Sequence, residues 1–137
     1  MKDIPAFLRR LVLRRAAGRC EYCRLAQAGQ EATFHLDHII PRTDGGATTA
    51  DNLALACVSC SLRKGARRMV IDTQTGGAVN FFHPRQDVWE EHFIWEGVRL
   101  IGVTATGRAT VEALEMNRPV ILAIRTEEIL LGRHPTL

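Results

Sequence analysis

Apolar residues near the start of the chain recur at the spacing of an α-helix. The repeat is carried by Phe7, Leu8, Leu11 and Val12. Pro5 suits an early helical position, and Gly18 supplies a stop. The pattern predicts a first helix over residues 5–17.

The middle of the chain alternates between short apolar runs and polar loops. Thr33–Ile40 predicts a strand, and the loop that follows is rich in turn residues up to Asp51. Asn52–Ala56 is a short apolar run, and Ser61–Arg68 predicts a short basic helix. The order of these elements is strand, loop, apolar run and helix.

The second half of the chain predicts two pairs of strands followed by two helices. The strand pairs are residues 69–72 with 78–82, and residues 92–95 with 98–103. Thr104 or Thr106 is a candidate cap for a helix that ends near Asn117. Pro119 begins a final apolar helix that Gly132 closes. Short strands mixed with helices predict the α+β class.

Composition and length favour one compact domain over residues 1–137. The chain has 137 residues, 46% of them apolar, so it can build a core of modest size. The five aromatic residues of the second half favour strand packing over base stacking, because aromatics are common in strands. They are Phe81, Phe82, Trp89, Phe93 and Trp95.

Charge is divided unevenly between the two halves of the chain. Residues 1–68 contain twelve Lys and Arg against six Asp and Glu, whereas residues 69–137 contain six against nine. A basic first half suggests a polyanionic partner, with nucleic acid as the first candidate, and a solvated basic face is the alternative. The start of the chain resembles neither a signal peptide nor a membrane span, so we expect a cytoplasmic protein of bacterial type with no membrane partner.

Four cysteines form two pairs with identical spacing. Cys20 and Cys23 are separated by two residues, and so are Cys57 and Cys60. Two such turns offer four thiolates to one tetrahedral ion, and a reducing compartment favours metal ligands over disulfides. A redox pair is the alternative, but neither pair has the strand–helix setting of a thioredoxin motif. The spacing predicts one structural Zn2+.

A carboxylate and an imidazole lie side by side between the cysteine pairs. Asp37 is a hard oxygen ligand suited to Mg2+, and the neighbouring His38 can accept a proton from water near neutral pH. Asn52 carries an amide that can bind backbone groups on both sides of the loop. These residues predict a hydrolytic site.

The same segment resembles the zinc-containing branch of the HNH endonucleases over about residues 20–65. The resemblance is carried by the two cysteine pairs, Asp37-His38-Ile39-Ile40-Pro41, Gly45-Gly46, Asp51-Asn52-Leu53 and Lys64-Gly65. It implies a treble-clef-like ββα-metal core over about residues 20–68, braced by the four-cysteine zinc site. The N-terminal helix and a C-terminal strand and helix extension over residues 69–137 would flank this core.

The family pattern also implies roles for single residues. Asp37 would bind a catalytic Mg2+ or Mn2+, His38 would be the general base, and Asn52 would fix the loop and orient His38. Phosphates of DNA would be contacted by Arg42, Arg63, Lys64, Arg67 and Arg68. The implied activity is metal-dependent hydrolysis of phosphodiester bonds in DNA, which leaves 5′-phosphate and 3′-hydroxyl ends.

One position departs from the family pattern. Ser61 stands where the family usually has Asn or His as the second metal ligand. The hydroxyl can bind the metal directly, act through a bridging water, or mark a weakened site. His35, on the same strand face as Asp37, is a candidate replacement ligand, and a surface or structural histidine is the favoured alternative.

Three functions follow from these residues. The first is a zinc-stapled DNA endonuclease. The second is a catalytically silent zinc module that binds nucleic acid through its Arg-rich helices, and Ser61 motivates it. The third is a protein-interaction zinc domain, which the Asp37-His38 pair disfavours. The oligomeric state stays open, with the apolar last helix as a candidate homodimer interface.

Overall fold

The chain consists of two compact units, the first ending at Arg68 and the second beginning at Met69. The computed structural model describes residues 4–135. Helices and short antiparallel hairpins make up both units, which confirms the predicted α+β class. The boundary coincides with the predicted start of the C-terminal extension, and the grouping of residues 1–137 as one domain stays a prediction.

The first unit contains a hairpin and two helices. Its elements are α1 (Ala6–Arg15), β1 (His35–His38), β2 (Leu53–Ala56) and α2 (Val58–Lys64). The strands β1 and β2 pair antiparallel, with Asp37 opposite Ala54 and His38 opposite Leu53. Every residue of β2 is buried, because β2 carries only Leu and Ala and forms the centre of this unit. The order β1, β2, α2 is the predicted ββα arrangement.

Two further connections hold the first unit around β2. Leu8 and Val12 of α1 are buried, and the Arg15 guanidinium donates a hydrogen bond to the Leu53 carbonyl. Glu21, in the first cysteine turn, donates its N–H to the Leu55 carbonyl and accepts the Leu55 N–H through Oε2, both at 2.8 Å. Both the first helix and the first cysteine pair are therefore attached to the same strand.

The helix α2 begins three residues earlier than the sequence pattern predicted. The Sγ atom of Cys57 accepts the Cys60 N–H and caps the helix, and Gly65 ends it with a φ of +57°. The predicted strand over Thr33–Ile40 is likewise shorter and spans only β1. Local patterns locate both elements, while tertiary hydrogen bonds decide where they begin and end.

The second unit contains two hairpins and three helices. Its elements are β3 (Met69–Ile71), β4 (Ala78–Asn80), α3 (Trp89–His92), β5 (Phe93–Glu96), β6 (Arg99–Gly102), α4 (Ala105–Ala113) and α5 (Pro119–Leu130). Thr104 caps α4 by accepting the Gly107 N–H, as one of the two predicted caps. The helix ends at Ala113, before the predicted end near Asn117, since Glu115 takes a φ of +46° that is not helical. The Asn117 side chain instead binds both backbone groups of Leu100 at 2.8 Å.

The aromatic residues of the second unit pack in its core. Phe81, Phe82, Trp89 and Phe93 are buried, and the rings of Trp89 and Phe93 lie 5.0 Å apart. Trp95 is partly exposed and lies beneath the Arg125 guanidinium at 4.9 Å. Packing, rather than base stacking, accounts for these side chains. Among residues 4–135, no helix combines the length and the apolar character that a membrane span requires.

Candidate active site

The four cysteines of the first unit form one tight, buried cluster. The Sγ atoms of Cys20, Cys23, Cys57 and Cys60 all lie within 4.8 Å of one another. The Sγ atoms of Cys23 and Cys57 are 3.7 Å apart. Zn–S bonds of about 2.3 Å in a tetrahedral site separate the sulfurs by about 3.8 Å. The cluster therefore fits one structural zinc ion, in agreement with the cysteine spacing.

Backbone N–H groups point toward the sulfur of the first cysteine in each turn. The Cys23 N–H donates to Cys20 Sγ at 3.5 Å, and the Cys60 N–H donates to Cys57 Sγ at 3.4 Å. Hydrogen bonds from the neighbouring thiols lower the pKa of Cys57, while burial raises the pKa of Cys20. Buried sulfurs ionise together only beside a compensating positive charge, which a divalent cation supplies.

An open cleft of about 370 Å³ lies beside β1 and α2 of the first unit. Its lining includes the predicted metal ligand Asp37, the predicted base His38 and the two residues of uncertain role, His35 and Ser61. Arg42 and Thr43 line it from the loop after β1. The cleft therefore brings Asp37 and His38 together with His35 and Ser61, whereas Asn52 is not among its lining residues.

Asp37 is held by two buried side chains from other parts of the first unit. The Tyr22 hydroxyl donates to Asp37 Oδ2 at 2.8 Å, and Lys64 Nζ lies 3.2 Å from the same oxygen. Lys64 Nζ also donates to the His38 carbonyl at 3.2 Å. These contacts orient the carboxylate and leave Oδ1 as the oxygen that is not shared with Tyr22 and Lys64.

Lys64 has a different position from the one that the sequence predicted. It was expected to contact phosphates, but only 1% of its side chain is exposed. A buried ammonium is costly unless it is paired, and the Asp37 carboxylate provides the pairing charge. Lys64 therefore orients Asp37 from inside the protein instead of meeting a polyanion at the surface.

Tyr22 was missed by sequence reasoning, although its position carried a signal. It lies between the two cysteines of the first pair and is fully buried. Burial raises its pKa well above the usual range for tyrosine, and the charge of Asp37 acts in the same direction. The hydroxyl therefore stays protonated and donates to Asp37. A tyrosine within a polar cysteine turn points to a buried acceptor for its hydroxyl.

The surroundings of His38 favour the neutral form of its imidazole. Burial lowers its pKa below the ordinary histidine value of 6.5, and the charges of Arg42 and Lys64 lower it further, against the opposing effect of Asp37. Its Nε2 atom lies 2.9 Å from the Thr48 hydroxyl. In the tautomer whose Nε2–H donates to Thr48 Oγ1, Nδ1 carries the lone pair that can accept a proton.

Asn52 fixes the loop that follows β1. Its Oδ1 accepts the Ile40 N–H at 2.8 Å, and its Nδ2 donates to the carbonyls of Ile40 and Ala47 at 3.1 and 2.8 Å. The backbone of Gly46 packs directly against Ile40 in this loop. A Cβ atom at position 46 would lie 1.7 Å from the Ile40 carbonyl oxygen, so only glycine fits there. Asn52 thus connects both ends of the loop, while the His38 ring is contacted by the Thr48 hydroxyl.

His35 and Ser61 form a direct contact across the cleft. His35 Nδ1 lies 2.9 Å from Ser61 Oγ, which joins the start of β1 to the second turn of α2. His35 is exposed, and it shares one face of β1 with Asp37 because the two residues are two positions apart. Both residues whose roles the sequence left open therefore meet at one place.

The predicted phosphate-binding arginines lie at the surface of the first unit. Arg42, Arg67 and Arg68 are exposed and Arg63 is partly exposed. Arg63 Nε donates to Ser59 Oγ at 3.1 Å, and Arg67 donates to the Arg63 carbonyl at 2.6 Å. Arg42 is the one of these four that lines the cleft. The others extend along α2 and just beyond it.

Comparison with known protein families gives one result for this region. The model of the HNH endonuclease family matches residues 20–67, which include all four cysteines, Asp37, His38 and Asn52. No curated protein and no solved structure matches the chain. The match of this segment implies nuclease activity in general. Residues 20–67 are therefore an HNH endonuclease domain with a four-cysteine cluster.

Proposed function

We propose that this protein is a metal-dependent DNA endonuclease in which His38 is the general base and Asp37 binds the catalytic divalent cation. The observation that carries the proposal is the pairing of a histidine of lowered pKa with an oriented carboxylate in one open cleft. Water activation needs a base that is neutral at working pH, and phosphate chemistry needs an oxygen ligand for a cation. Adjacent residues of β1 supply both.

In the proposed reaction, His38 takes a proton from water through Nδ1 while Thr48 holds the ring through Nε2. The water oxygen bonds to phosphorus, the bond from phosphorus to the 3′-oxygen breaks, and this oxygen leaves with a proton from solvent. A Mg2+ or Mn2+ ion bound at Asp37 would neutralise charge on the phosphate and the departing oxygen. Tyr22 and Lys64 keep the Asp37 carboxylate oriented for that ion.

The basic surface of the first unit supports a DNA partner. Arg42 lines the cleft, and its planar guanidinium suits phosphate recognition. Arg63, Arg67 and Arg68 lie farther along the same unit, where they can contact neighbouring phosphates. Such contacts carry no base information, so we expect binding that depends strongly on salt and weakly on sequence.

Two features of the cleft favour the alternative, a nucleic-acid-binding module without catalysis. The Lys64 ammonium already neutralises part of the Asp37 charge, and Ser61 is a weaker metal ligand than Asn or His. A site with both features binds a cation less tightly than an unpaired carboxylate with a second strong ligand. The two functions differ in whether divalent metal converts DNA binding into DNA cleavage.

The decisive experiment compares cleavage with binding on the same DNA. Zinc-loaded protein is incubated with supercoiled plasmid and Mg2+ or Mn2+, beside a sample without added divalent metal. Metal-dependent appearance of nicked or linear plasmid is the expected result. A mobility shift at the same protein concentrations, without cleavage under any metal, would favour the silent module instead.

We expect Arg42→Ala to raise the pKa of His38. Burial is the main cause of the lowered pKa and is unaffected by this change, but the charge of Arg42 is the next cause and is removed. The measurement is an NMR pH titration of the His38 ring in zinc-loaded protein without DNA, which separates the effect from phosphate binding. Arg68→Ala serves as the control and should leave the titration unchanged. A titration of His38 identical in wild type and Arg42→Ala would contradict the expectation.

A further inference from the structure

The contact between His35 and Ser61 places two candidate metal ligands side by side. Both side chains line the same cleft as Asp37, and His35 shares a strand face with it. His35 is exposed, so its imidazole is accessible from the open side of the cleft.

The separation of the two donor atoms matches that of neighbouring ligands on one metal ion. His35 Nδ1 and Ser61 Oγ are 2.9 Å apart. In octahedral geometry with metal–ligand bonds of about 2.0–2.1 Å, two adjacent ligands lie about 3 Å apart. A cation can therefore replace the shared proton between these atoms with little movement of either side chain.

We propose that His35 Nδ1 and Ser61 Oγ join Asp37 as ligands of the catalytic cation. This inference rests on the proposed function, and it names the ligand set of that same site. It also has a consequence for metal choice. Imidazole nitrogen binds first-row transition ions well, whereas Mg2+ prefers oxygen ligands. The site therefore binds Mn2+ through a nitrogen and favours it over Mg2+.

Metal binding to zinc-loaded protein without DNA tests the ligand set directly. Free Mn2+ is followed by EPR during titration, and Mg2+ affinity is obtained by competition. His35→Ala should weaken Mn2+ binding by about tenfold or more and weaken Mg2+ binding less. Ser61→Ala should weaken both, since it removes an oxygen ligand. Thr43→Ala removes a hydroxyl from the same cleft and should change neither affinity.

Pulsed EPR of bound Mn2+ provides a second readout. We expect a nitrogen coupling in the wild type and in His38→Ala, and its loss in His35→Ala. An unchanged Mn2+ affinity together with an unchanged coupling in His35→Ala would overturn the inference. Because no DNA is present, a protein that binds Mn2+ through His35 but fails to cut refutes only the proposed function. If the protein cuts DNA but His35→Ala leaves Mn2+ affinity and the nitrogen coupling unchanged, only the inference is refuted.

Discussion

Replacing His38 with alanine is expected to reduce DNA cleavage by about 10²–10⁴-fold without unfolding the protein. General-base assistance is typically worth this factor, and alanine cannot accept a proton from water. The His38 side chain is only partly buried, and its ring makes one side-chain hydrogen bond, to Thr48. The measurement is the initial rate of plasmid nicking at saturating metal.

Two controls separate a catalytic effect from a structural one. The zinc content and the far-UV circular dichroism of His38→Ala should equal those of the wild type. His134→Ala removes a histidine of the second unit whose ring contacts the Gly97 carbonyl and the Trp95 ring, and it should keep the wild-type rate. A His38→Ala protein that cuts at the wild-type rate would remove His38 from the mechanism.

Cys57→Ala is expected to unfold residues 20–67. Cys57 supplies one of four sulfurs and also caps α2 through the Cys60 N–H, so the change removes a zinc ligand and a helix cap together. Structural zinc contributes about 10–16 kcal/mol of apparent binding free energy in zinc-finger peptides. The free energy of unfolding of a typical domain is only about 5–15 kcal/mol, so losing the zinc can remove all of it. Removal of zinc by a chelator should have the same effect.

Amide NMR spectra and metal analysis measure this loss. The wild type should contain one zinc per chain, and in Cys57→Ala the amide signals of β1, β2 and α2 should collapse to the narrow range of an unfolded chain. Val58→Ala changes the next residue, which is not a ligand, and should keep both the zinc and the spectrum. If chelated protein retains dispersed signals for residues 20–67, the zinc is not what holds this unit together.

The cysteine pairs and the Asp37-His38 dipeptide were predictable because each is defined by residues close together in the sequence. Each cysteine pair forms a turn within four residues, and the two pairs together predicted one cluster. The structure confirms this cluster, because all four Sγ atoms lie within 4.8 Å of one another. Asp37 and His38 are neighbours in the chain, so any strand that carries one carries the other. The hairpins and the longer helices were also recognisable from their periodicity, with errors of a few residues at their ends, whereas the short helix α3 was not predicted.

The partners of the site residues were not predictable, because they come from distant parts of the chain. Tyr22 reaches Asp37 across 15 residues, Thr48 reaches His38 across 10, and Ser61 reaches His35 across 26. Nothing in the local pattern around any of these residues specifies such a pairing. Only the docking of the first cysteine turn, β1 and α2 around β2 brings them together.

Lys64 illustrates the difference between the two kinds of information most clearly. By itself the sequence determined a four-cysteine cluster, a ββα segment and the Asp37-His38 pair, because spacing and periodicity act over a few residues. A lysine in a basic helix is predicted at the surface, since an isolated charge is costly to bury. Tertiary structure alone decided that Lys64 lies inside, because the fold places the Asp37 carboxylate 3.2 Å from its ammonium and so offsets that cost.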